Sequence, residues 1–125
     1  MGLGERRLLA QAQCDGHLAM VQVVADRGRL VAFHANLRTR EGTGGGAAFK
    51  ESVQIRGINE LPAKLASDLA WQGAFSLDVV LSADEQPMVI DFNPRLVEPV
   101  NAYFSGVDLV SAPLAEANIT GLSKN

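Results

Sequence analysis

The sequence has one cysteine, no cluster of basic residues and no long apolar run, and each absence excludes a class of protein. Cys14 alone leaves no internal disulfide framework, which suits a reducing compartment and a cytoplasmic chain. The basic residues are scattered and the formal charge is -3, so nothing favours a nucleic-acid or anionic-membrane partner. No stretch approaches the ~20 apolar residues that span a bilayer. The Met1-Gly2-Leu3-Gly4-Glu5-Arg6-Arg7 start is followed by no uninterrupted apolar segment, so it does not read as a signal peptide. What is present is ordinary for a soluble globular domain: 125 residues, 47% apolar and 20% charged, enough for one domain with a moderate core.

Extended structure dominates the first third. Leu8 to Cys14 is a short strand candidate closed by the turn pair Asp15-Gly16. His17 to Ala25 follows, rich in Val and Met, and ends at Asp26-Arg27-Gly28. Arg29 to Leu37 alternates, with Leu30, Ala32 and His34 on one face and Val31, Phe33 and Ala35 on the other. From Arg38 to Gly46 the glycines Gly42, Gly44, Gly45 and Gly46 break any regular element, giving a loop flanked by Arg38 and Arg40. Phe49 to Ile55 is again extended. A helix is predicted from an Asn59 N-cap, carrying Leu61, Leu65, Ala66, Leu69 and Ala70 as a stripe, with Gly73 as its C-cap. Strands at Ala74–Ser82 and Met88–Asn93, then helices at Leu96–Ser105 and Asp108 to about Asn118, complete one α+β domain over 1–125. Its sheet is mostly antiparallel with helices packed on it.

The chemistry concentrates in the predicted hairpin. With a turn at Ala83-Asp84-Glu85-Gln86 holding two or four loop residues, one register results. Leu81 faces Met88, Val79 faces Ile90 and Leu77 faces Phe92, giving an entirely apolar face. The opposite face pairs Val80 with Val89, Asp78 with Asp91, and Ser76 with Asn93. Opposed Cβ atoms lie ~5 Å apart and like charges there destabilise the pair. Two carboxylates so placed call for a cation or a shared proton. With the Asn93 amide they form an all-oxygen set suited to Mg²⁺, which also keeps places for phosphate oxygens. Arg95 follows with a guanidinium fork that matches phosphate or carboxylate. Acidic residues on strands are also commonly just solvated, and spacing alone does not separate the two readings.

Asp91-Phe92-Asn93-Pro94-Arg95 resembles the strand-end motif of the ATP-grasp superfamily, an acidic residue, an apolar residue, then Asn-Pro-Arg. Trp71-Gln72-Gly73 leading to Asp78 is similar to the family's step into the strand with the earlier metal-side residue. Gly106-Val107-Asp108-Leu109 resembles its glycine-valine-aspartate-leucine. The similarity runs from about Ala10 to Leu109. The stretch from Arg40 to Gly46, with Glu51-Ser52-Val53, looks like a branch related to the carbamoyl-phosphate synthase large chain.

The resemblance implies the C-terminal, metal-binding lobe of an ATP-dependent carboxylate-amine ligase working through an acyl phosphate. Its cofactors would be ATP and Mg²⁺. Asp91 and Asn93 would ligate Mg²⁺ with Asp78 as a further metal-side ligand, and Arg95 would hold the γ-phosphate. Arg38 or Arg40 would touch substrate or phosphate, and the loop of Gly44, Gly45 and Gly46 would fold over the site as a flap. It also implies missing parts: the N-terminal lobe with its phosphate-binding lysine is absent, and Lys50, Lys64 and Lys124 do not replace it. Ala12 and His17 stand where a glutamate near the adenine and a ribose-binding acid are expected. The expectation is therefore a chain inactive by itself. The alternative is a non-catalytic interaction module that forms a homo-dimer or pairs with a separate chain carrying the complementary lobe. Its other partners would be a nucleotide and a small-molecule carboxylate.

Overall fold

The computed structural model describes residues 4, 6–41 and 47–112, leaving aside the side chains of 40, 41 and 47–49. Five strands form one antiparallel sheet in the order β3-β2-β1-β4-β5. They are β1 (His17–Asp26), β2 (Arg29–Glu41), β3 (Ala47–Ser52), β4 (Gly73–Leu81) and β5 (Pro87–Asn93). Helix α1 (Glu60–Asp68) lies between β3 and β4 in sequence, and α2 (Pro99–Phe104) follows β5. The class is α+β, as the element order implied. Among the described residues no helix is long and apolar enough to cross a membrane.

Alternation along the strands divides the sheet into two unlike faces. One face carries Val21 and Val23 of β1, Ala35 of β2, Phe75, Leu77 and Val79 of β4 and Phe92 of β5. Helix α1 covers it with Ala66, Leu61 and Leu65, and Ile58 seals the helix entry. Trp71 and Phe92 meet edge-on at 5.2 Å, Trp71 meets Phe75 at 5.7 Å, and Phe75 stacks on Phe92 at 5.2 Å. Each large apolar side chain so buried contributes about 1.5–3 kcal/mol, which makes this face the stabilising centre of the domain.

The other face is covered by the chain after β5. At one end Val24, Ala102 and Leu109 form a small second core with Ala32, Ala74, Leu96 and Val107. In the middle stand Gln22 and Ser76, both fully buried and polar. Gln22 donates from Nε2 to the Glu98 carbonyl at 2.8 Å and accepts at Oε1 from the Val97 and Glu98 N–H groups at 3.2 and 3.0 Å. Ser76 Oγ donates to the Arg95 carbonyl at 2.6 Å. These bonds hold residues 95–98 against the sheet in a bent, non-helical path, and α2 begins at Pro99 rather than at Leu96. Proline suits a first helical position because it has no N–H to lose.

Several boundaries differ from the sequence-based expectation. Residues 7–15 form no strand, and Leu8 and Leu9 are exposed, because no strand among the described residues pairs with them. β2 continues through Arg38 to Glu41, since β3 pairs with that end of it, Arg38 against Lys50. β3 stops at Ser52 rather than Ile55. Between Val24 and Ala25 the β1–β2 register shifts, which turns Leu30 to the main core and Val31 to the second one. Helix α1 ends at Asp68, five residues before Gly73, with Ala70 in the left-handed region at φ 46°. Asn59 occupies the N-cap position but its side chain makes no capping bond. The expected Gly44–Gly46 flap and most of the second tail helix fall outside the described residues.

Candidate functional site

The acidic pair forms as the hairpin register required, but only over half of the ladder. Ser76 faces Asn93, Leu77 faces Phe92 and Asp78 faces Asp91. Then the register shifts: Val79 faces Val89, Val80 faces Met88 and Leu81 faces Pro87, leaving Ile90 as an extra residue in β5. A bulge of this kind bends an edge strand and re-aims its side chains. The proposed pairs Val79–Ile90, Val80–Val89 and Leu81–Met88 are therefore wrong. So is the wholly apolar face: Met88, Val89 and Ile90 are exposed, and Ile90 sits on the Asp78 side of the sheet. The four-residue turn closes with Glu85 N–H donating to the Ser82 carbonyl at 2.9 Å and Ser82 N–H to Gln86 at 3.2 Å.

Asp91 is fixed by its neighbours. Its Oδ1 accepts from the Phe92 N–H at 3.0 Å and its Oδ2 from Asn93 Nδ2 at 3.3 Å. The Asn93 amide thus lies on the acid side, with its carbonyl oxygen free of protein partners among the described residues. Asp78 is half-buried, and burial pushes its carboxyl above the usual carboxylate range. The Asp91 charge pushes the same way, partly offset by Lys50 and Arg38.

Those two cations share a cavity of about 240 Å³ with Asp78. Leu18, Met20 and Ile90 give it an apolar lining, and Asn36 stands beside the cations. Lys50 also forms an ion pair with Glu98. Asn36 is 2% exposed and its Nδ2 is buried with no hydrogen-bond partner. A buried donor left unpaired costs roughly 1–3 kcal/mol. Further along the same strand His34 bonds Ser52 Oγ at 2.9 Å, Ser52 bonds Ser105 Oγ at 2.5 Å, and burial lowers the His34 pKa.

The structure therefore gathers Asp78, Asp91, Asn93 and Arg38 on one face of the sheet. Arg95 lies elsewhere: its backbone is anchored, N–H to the Asn93 carbonyl at 2.8 Å and carbonyl to Ser76, but its side chain is exposed and does not line the cavity. Arg40 lies in β2 with its side chain outside the described residues. Lys50, which sequence reasoning set aside, enters the cavity opposite Arg38, and Met20 lines it as well. Lys50 became legible only once β3 was paired with β2. Asn36 carried no motif at all.

Mg²⁺ fits what the chain offers here. The donors are two carboxylates and an amide oxygen, and burial with the facing Asp91 charge favours the protonated Asp78 carboxyl unless a cation intervenes. Among the described residues no cluster of three or more His, Cys, Asp or Glu side chains forms, so a cation would take its remaining ligands from water or substrate.

No family model matches the chain, and no curated protein matches it. Solved structures do. The ATP-grasp ligase PsnB complexed with its minimal precursor superposes with TM-score 0.55 at 18% identity, over 85% of this chain and 34% of that one. PsnB with the precursor peptide PsnA2 and AMPPNP gives 0.54 at 18%, over 86% and 32%. PsnB with a phosphomimetic precursor variant, Mg and ADP gives 0.53 at 17%, over 88% and 34%. The chain spans about a third of the length of these ligases. At such identity the likeness is one of fold: the sheet and its helices have the fold of an ATP-grasp lobe.

Proposed function

We propose that this chain is the metal- and phosphate-binding C-terminal lobe of an ATP-dependent ligase that activates a carboxylate. The observation that carries the reading is the facing of Asp78 and Asp91 across β4 and β5, with the Asn93 amide beside them and two cations across the cavity. The fold shared with PsnB, which is solved with Mg and ADP, supports it.

Asp78, Asp91 and Asn93 would hold Mg²⁺, which when bound neutralises charge on the phosphate oxygens of ATP. Arg38 and Lys50 would draw an anionic group into the cavity and fix its orientation, so that positioning and electrostatics supply most of the catalysis. Arg95, which follows Asn93 outside the cavity lining, would reach a phosphoryl oxygen through its exposed guanidinium only when nucleotide extends beyond the cavity. The reaction class is attack of a carboxylate on the γ-phosphate, giving an acyl phosphate and ADP, followed by displacement of phosphate by an amine. The arginine and glycine stretch from Arg40 to Gly46 favours a branch related to the carbamoyl-phosphate synthase large chain. Acting alone the chain would bind Mg-ATP weakly and turn nothing over.

Calorimetry with ATP, with and without Mg²⁺, tests this. Weak, Mg²⁺-dependent binding lost in Asp91→Asn supports the reading, and binding indifferent to Mg²⁺ and to that substitution overturns it. A second reading, an interaction module, rests on the exposed Met88, Val89 and Ile90 of the edge strand and on Tyr103 and Phe104 of α2. Light scattering separates the two: a monomer at high concentration counts against the module.

A further inference from the structure

We infer that Asn36 is a ligand-recognising residue, donating from Nδ2 to an anionic oxygen held between Arg38 and Lys50, two strands away from the Asp78–Asp91 pair. The inference rests on the reading of that pair as a metal site, which it extends to a second contact point. Register supplies the geometry. Asn36 faces Met20, Met20 faces Asp78, and Asp78 faces Asp91, so these four side chains form one row across the sheet. Adjacent strands lie about 4.8 Å apart, which places Asn36 ~10 Å from Asp78 with Met20 between them. Arg38 and Lys50, paired with each other on β2 and β3, stand one step along from Asn36 and line the same cavity.

The cavity is thus divided. One end offers the Asp78 carboxylate, with Asp91 facing it on the next strand, the other end offers two positive charges and an unused amide donor, and Met20, Leu18 and Ile90 supply apolar lining. The unused donor is the independent sign of a ligand. Asn36 is almost fully buried and its Nδ2 has no partner, a state that a bound acceptor would relieve. Lys50 already pairs with the Glu98 carboxylate, which shows the chemistry this end accepts. The ligand class follows: a molecule with one anionic group for the cation and a second anionic oxygen ~10 Å away. A polyphosphate chain meets that description, and so does an extended organic acid with a carboxylate at each end.

The test measures binding of inorganic triphosphate and of a series of linear dicarboxylates from malonate to azelate to the full chain, each with Mg²⁺. Wild type is compared with Asn36→Leu and Asn36→Asp, and thermal melting confirms that each variant folds. Both substitutions nearly preserve size; the first removes the donor and the second adds a repelling charge. The expected result is that Asn36→Leu melts no lower than wild type yet loses about tenfold in affinity for one probe class, and that Asn36→Asp loses more. Loss confined to triphosphate identifies the phosphate chain as the group that Asn36 meets. Loss confined to the longer dicarboxylates identifies the far carboxylate of a substrate acid. If folded Asn36→Leu binds both classes as wild type does, or wild type binds neither, the inference is overturned. Asp91→Asn separates this from the metal reading: Asn36-dependent binding that ignores Mg²⁺ would leave the anion contact standing and remove the metal site.

Discussion

Each face of the sheet has a fully buried centre, and the two centres are buried for opposite reasons. Leu77 and Val79 on one side and Gln22 and Ser76 on the other are all at or near zero exposure. The first pair is buried because α1 removes apolar surface from water. The second is buried because a strap of chain with unpaired backbone groups needed partners, and a glutamine and a serine in the sheet supply them. One face stabilises by area, the other by hydrogen bonds that fix where a loop goes. The loop they fix carries Asn-Pro-Arg, so the polar face sets the site while the apolar face sets the fold.

The sharpest way to break this division is Phe75→Ala. Phe75 touches both Trp71 and Phe92, and its loss should cost about 3–5 kcal/mol by urea unfolding. A smaller loss would mean that the aromatic trio is not the stabilising centre. Gln22→Ala comes next, at about 2 kcal/mol, because it leaves the Val97 and Glu98 N–H groups without their acceptor. Hydrogen exchange at those two amides should rise with it, while amides of α1 stay protected relative to global stability.

Asp78 and His34 sharpen the comparison through pH. Burial and Asp91 raise the Asp78 pKa in the folded chain, so the folded state holds its proton more tightly than the unfolded one. Its contribution is complete below the usual carboxylate value and is lost as pH rises through the raised one. Asp78→Asn should therefore raise the melting temperature at neutral pH and flatten that part of the stability profile. In the same variant, any stabilisation by Mg²⁺ should vanish. His34 acts with opposite sign. Burial lowers its pKa, so its contribution is present above the usual histidine value and is lost as pH falls through the lowered one. His34→Gln should remove that acid-side loss, the smallest of these effects, read from melting curves between neutral and mildly acidic pH.

Much of this was legible in the sequence, and the failures have physical causes. Period-two alternation and the turn at Asp26-Arg27-Gly28 located β1, β2 and β4, and the Asp78–Asp91 register followed from matching apolar residues across the hairpin. The same matching failed beyond Asp91, because a bulge at Ile90 leaves no trace in a run of apolar residues. Lys50 and Asn36 were out of reach for another reason. The short turn at Asp26-Arg27-Gly28 already implied β2 beside β1, but their place in the cavity also depends on how far β2 runs past Leu37 and on β3 pairing with that end, which no local pattern encodes. The role of Gln22 appears only with residues 97 and 98 lying against it.

The most direct measurement of the central claim is a Mg²⁺ titration followed by the side-chain carboxylate carbon resonances of the aspartates. The resonances of Asp78 and Asp91 should move together along one saturating curve, the Asn93 side-chain amide should follow it, and Asp91→Asn should abolish the movement at Asp78. If Asp78 and Asp91 stay still, or shift no more than the exposed Asp84, while the chain remains folded, the paired acids are not a metal site.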